Sequence, residues 1–120
     1  MLFNLVVYGV ILLTVDLIYI SFVTEHFKKL IKLVQGSKMK VNLAAAAICY
    51  LFLILGGFYF SIYKRLSIIE SFIFGMIIYG VYAFTNLALF EKWNLTTAFM
   101  DTIWGGILYL SCKYIYLLIF

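Results

Sequence analysis

Residues 2–23 read LFNLVVYGVILLTVDLIYISFV. Asp16 is the only formally charged side chain in that run. A helix needs roughly 20 apolar residues to cross a bilayer, and this stretch has that length. It exceeds a signal-peptide core and lacks both a basic start and a small-residue cleavage site, so it reads as a retained helix. Three more runs of the same kind follow, at about 43–63, 71–90 and 95–115. The expected fold is an all-α membrane protein of one domain, residues 1–120, with four transmembrane helices in an up-down bundle. Short second and third links make sequential helices antiparallel neighbours.

The composition points the same way. Of 120 residues, 67% are apolar and 12% are charged, against about 25% charged in a soluble domain. Proline is absent, which suits long uninterrupted helices. One histidine and two cysteines, Cys49 and Cys112, offer no metal-binding spacing, and both cysteines fall in apolar runs. We expect neither a metal nor another cofactor. The formal charge is +4. Beside a membrane span, that excess reads as a topology signal and a contact with lipid headgroups, not as a nucleic-acid surface.

The first link, residues 24–42, is the long one. Phe27, Leu30, Ile31 and Val34 recur at helical spacing with Lys28, Lys29 and Lys32 between them, and Gly36-Ser37 reads as a stop. This predicts a short amphipathic interfacial helix between the first and second spans. The alternative is a continuation of the first helix beyond the bilayer. Lys28, Lys29, Lys32, Lys38 and Lys40 form a basic membrane-surface stretch. With Lys92 they outweigh Lys64, Arg65 and Lys113 at the other end, six against three. By the positive-inside rule the basic link is cytoplasmic and both termini are external. Lys113 is expected to snorkel outward.

Two acids lie inside spans, Asp16 and Asp101. A mid-membrane carboxylate costs at least about 2.5–3.5 kcal/mol on insertion scales and normally faces the bundle interior or water. At 1.5 Å per residue, Asp16, Asp101 and Asn86 lie roughly 10, 9 and 6 Å from the basic-link ends of their helices. Tyr82, Thr85 and Thr97 fall nearby, and the opposite half holds no charge of comparable depth. Helical stripes group Tyr8, Leu12, Asp16 and Tyr19; Gly75, Tyr79, Tyr82 and Asn86; and Thr97, Asp101, Trp104 and Gly105. The expectation is a polar pocket lined by Asp16, Asp101, Asn86, Thr85, Tyr82 and Trp104, open to the inside. The competing reading is that these groups only hydrogen-bond helices together. On the second span, Asn42, Ala46, Cys49 and Leu53 form a small-residue face that continues to Gly56 and Gly57, which allows close helix approach.

The run Tyr79-Gly80-Val81-Tyr82-Ala83-Phe84-Thr85-Asn86-Leu87-Ala88, then Lys92-Trp93, then Met100-Asp101-Thr102-Ile103-Trp104-Gly105 resembles the predicted membrane proteins catalogued as domain of unknown function 2177. Asp16, Asn42 and the alanines after it match early positions of that pattern, so the resemblance covers nearly the whole chain. One departure is Ala83, where the family often has Asp. The resemblance implies four helices and an intramembrane polar cluster, and no activity.

The first functional expectation is an ion or proton channel or transporter using the buried carboxylates. Against a pore, four helices leave little room for one. The alternatives are a lipid- or apolar-ligand-binding protein or enzyme with an inward-facing polar pocket, and a structural or accessory membrane protein. The chain has no nucleophile motif or phosphate loop, so catalytic residues stay unassigned and a non-enzymatic role is favoured. Expected partners are membrane lipids and further copies of the chain, with no nucleic acid.

Overall fold

A computed structural model describes all residues, Met1–Phe120. It consists of four membrane-crossing helices and no strand. Helix α1 spans Leu2–Gln35, α2 Leu43–Gly57, α3 Ile68–Leu89 and α4 Leu95–Ile119. A π-helical segment, Phe58–Tyr63, extends α2 without a break in the span. The links between helices alternate between the two ends of the bundle. One end holds residues 36–42 and 90–94, and is called the basic-link end here. The other holds both termini and residues 64–67.

Local sequence sets these boundaries. Asn42 starts α2 by accepting the Ala45 N–H at 3.1 Å, and Asn94 starts α4 by accepting the Thr97 N–H at 2.7 Å. Ser67 and Glu70 form a reciprocal capping box, with bonds of 3.1 and 2.8 Å. That cap starts α3 three residues before the expected boundary. Gly36 ends α1 in the left-handed region at φ 75°, its N–H bonded to the Lys32 carbonyl at 2.9 Å.

The expected separate interfacial helix is corrected. Residues 24–35 are helical, but they continue α1. Nothing between Val23 and Gly36 can break a helix, since neither proline nor glycine occurs there. The segment also has tertiary partners: Leu30 is buried, and Phe27 packs on Trp93 with ring centroids 6.4 Å apart.

Helix α4 is the centre of the bundle. It packs along α3, on the other side against α1, and touches the π segment. The α3–α4 contact is a backbone approach through Gly75, Gly105 and Gly106. A Cβ on Gly75 would run into the Gly105 carbonyl, and one on Gly106 into Phe72 and Met76. The main apolar core lies toward the terminal end and comprises Tyr8, Ile11, Leu12, Phe58, Leu108, Tyr109, Cys112 and Tyr116. Of the small-residue face expected on α2, Gly57 is buried and Ala46, Leu53 and Gly56 are half-buried, whereas Asn42 and Cys49 are exposed.

The outward reach expected of Lys113 ends on a backbone carbonyl near the terminal end. Lys113 is buried, and its ammonium donates to the Ser61 carbonyl at 2.8 Å. The π segment explains why that carbonyl is free. Lys64 N–H goes to Tyr59, Arg65 N–H to Ile62 and Leu66 N–H to Phe60, leaving the Ser61 oxygen without a backbone donor. A cation at a helix C-terminus also opposes the negative end of its dipole.

Candidate functional site

The deep polar groups of α1 and α4 meet in one cluster. Asp16 is buried and saturated. The Trp104 indole N–H donates to its Oδ1 at 3.0 Å, and the Tyr50 hydroxyl donates to its Oδ2. Asp101 is equally buried but only half satisfied. Tyr19 donates to its Oδ1 at 3.4 Å, while Oδ2 has no partner. The two acids are joined through rings: Tyr19 stacks on Trp104 with centroids 4.2 Å apart and planes 7° from parallel. Thus α1 supplies Asp16 and Tyr19, α2 supplies Tyr50, and α4 supplies Asp101 and Trp104.

Toward the basic-link end the polar groups continue. Thr97, fully buried, lies one turn before Asp101 on the same face of α4. Its hydroxyl is 2.7 Å from Nε2 of His26, whose side chain is otherwise exposed. Toward the terminal end the character changes. Leu12 and Leu108 are fully buried there, and the polar groups are tyrosine hydroxyls: Tyr109 donates to the Leu53 carbonyl at 2.8 Å, and the Tyr8 hydroxyl is buried without a partner.

No cation answers the two carboxylates. The chain's ion pair joins Lys28 to Glu25 at 3.7 Å on the exposed part of α1. Buried charges are ordinarily paired, since removing one partner of a buried pair leaves a costly isolated ion. Two buried acids without a counter-charge single this cluster out as the candidate site. No group of three or more His, Cys, Asp or Glu comes together as a metal site.

The α3 residues of the expected pocket are less deeply buried than the acids. Tyr82 and Thr85 are exposed on the isolated chain, and Asn86 is half-buried. The buried face of α3 is instead Ser71, Gly75 and Ala83. The stripe drawn through Gly75, Tyr79, Tyr82 and Asn86 meets α4 at Gly75 and Tyr79, which pack on Gly105, and its Tyr82 lies beside Asp101 and Asn86 while remaining open on one side. Thr85 is the member of the expected pocket on the outer side, because α3 is apolar nearly all round and periodicity picks its inner face only weakly. Tyr50 and His26 were missed in the sequence. Tyr50 sits among aliphatic residues, and His26 is separated from Thr97 by 71 positions. The basic side chains Lys28, Lys29 and Lys32 are exposed on the extension of α1, and Lys40 is exposed in the link that follows.

Among known proteins, no curated protein and no solved structure matches the chain. A family model described as a predicted membrane protein, domain of unknown function 2177, matches residues 1–117. The motif residues quoted above, the four spans and this match over almost the full length agree, and the chain belongs to the domain of unknown function 2177 family.

Proposed function

We propose that this protein is a proton transporter, or one for a small cation in the proton's place, whose exchange site is the Asp16–Asp101 pair. The observation that carries the reading is the free, buried Oδ2 of Asp101 in a cluster with two carboxylates and no counter-charge. The chain of polar groups running to His26 gives that site a route to water at the basic-link end. Toward the other end stand the buried Leu12 and Leu108 and uncharged tyrosine hydroxyls, with no further acid to take the proton on. Crossing therefore requires a helix rearrangement or a second copy of the chain, in keeping with the weakly packed face of α2.

The test is reconstitution in liposomes containing a pH dye. An imposed potential should drive internal acidification that depends on the protein. No flux under either polarity would remove transport from consideration. We further propose that the basic-link end is cytoplasmic, from the excess of lysine there. Ser37→Cys should then resist an impermeant thiol reagent on intact cells and react after permeabilisation. Labelling on intact cells would reverse the orientation.

A second reading, an apolar-ligand site, is favoured by one observation. Thr85 is exposed, and Tyr82 beside Asp101 is open on one side, at the depth of the acids, where a lipid headgroup or amphiphile entering sideways would meet them. Its mark would be a lipid that co-purifies with the parent and is lost in Asp101→Asn.

A further inference from the structure

We infer that His26 is the residue through which protons pass between water at the basic-link end and Asp101, with the Thr97 hydroxyl as the connecting group. This rests on the proposed proton exchange at the acid pair and adds its route of access.

The geometry has three parts. His26 is the chain's one histidine and its side chain is exposed. Its Nε2 is held 2.7 Å from Thr97 Oγ1, a hydroxyl inside the bundle. One turn further along α4 stands the carboxylate oxygen of Asp101 that nothing else occupies. No acid, lysine or arginine is bonded to the imidazole. From α4 it meets Thr97, and on its own helix the Phe27 ring packs edge-on with centroids 5.7 Å apart. The charged groups beside it on α1, Glu25 and Lys28, pair with each other.

Imidazole suits this place because it can accept a proton on one nitrogen and release one from the other. A proton arrives at Nδ1. The Nε2 proton passes to Thr97 Oγ1, and the hydroxyl's own proton moves on to Oδ2 of Asp101, directly or over one water. The ring is left as its other tautomer and resets by exchange with solvent. Without the imidazole, the buried hydroxyl has no titratable partner at the surface.

Trp104 provides the readout, because its indole N–H bonds Asp16 and its ring stacks on the tyrosine that bonds Asp101. The chain's only other tryptophan, Trp93, has an unpartnered N–H, so Trp93→Phe removes that fluorophore without breaking a hydrogen bond. In this background, purified full-length protein is subjected to a rapid pH drop while Trp104 emission is followed. His26→Gln, which keeps a polar group near Thr97 but cannot relay, should slow the change about ten-fold or more and leave its final amplitude unchanged. Added imidazole should restore the rate in His26→Gln. Thr97→Val should be slowed as much, and imidazole should not rescue it, since the break then lies inside the bundle. A His26→Gln rate equal to the parent's, with the parent signal intact, would overturn the relay alone. No pH-dependent signal in the parent would overturn the proton site and the relay together.

Discussion

Asp16→Asn and Asp101→Asn are expected to give different defects, although both remove one intramembrane carboxylate. Asp16 uses both oxygens as acceptors, for the Trp104 N–H and the Tyr50 O–H. An amide places an NH2 where one of those donors points, so a donor faces a donor. Leaving a buried group unsatisfied costs about 1–3 kcal/mol, and Asp16→Asn should lose that much stability in a detergent or denaturant unfolding series. Asp101 has an empty side. Its Oδ2 lacks a partner, so an NH2 there displaces nothing and the fold should be nearly as stable as the parent. Asp101→Asn should nevertheless abolish the pH-driven flux, since the free oxygen is where a proton would bind. Equal and small stability losses at both positions, with flux intact, would leave the cluster as packing glue and the structural reading in place.

The second large effect is expected at the α3–α4 contact. Gly75→Ala aims a methyl at the Gly105 carbonyl, which is backbone and cannot swing aside. Overpacking of this kind costs about 1–3 kcal/mol, and here the helices must separate to relieve it. Because α4 carries Asp101 and Trp104, the separation should also shift Trp104 emission. Gly56→Ala is the control. Its added Cβ would meet only the Phe74 ring, at 3.9 Å, an ordinary contact, so it should be neutral. A Gly75→Ala protein that unfolds with the parent would show that the two helices do not need this close approach.

The helices were legible from sequence because each signal is local. Apolar length gave four spans, and Asn42, Asn94 and Gly36 mark ends that the backbone uses. Depth along a helix was legible too, which brought Asp16 and Asp101 to one level before any packing was known. Rotation about each helix axis was not. Lipid solvates an apolar helix on every side, so a span carries little amphipathic signal to say which face is inner. Thr85, expected inward, is exposed, while Tyr82 is open on one side yet stands beside Asp101. The union of residues 24–35 with α1 is a different case. A lysine-rich amphipathic segment reads as interfacial by composition. What decides the matter is Leu30 and Phe27 packing against the bundle end, which requires the third link to be in place.

The ammonium of Lys113 carries a further implication. It is fixed on the Ser61 carbonyl near the terminal end, with no carboxylate in reach. Any cation leaving the acid cluster toward that end must pass a stationary like charge in a medium that screens it poorly. The carboxylates attract cations at one depth and the ammonium repels them at another. For the proposed transport, such a profile would be that of a diode: inward and outward movement would meet barriers of unequal height, with the asymmetry set by one side chain. Lys113→Met would level it, so that currents at opposite voltages should become more nearly equal in size.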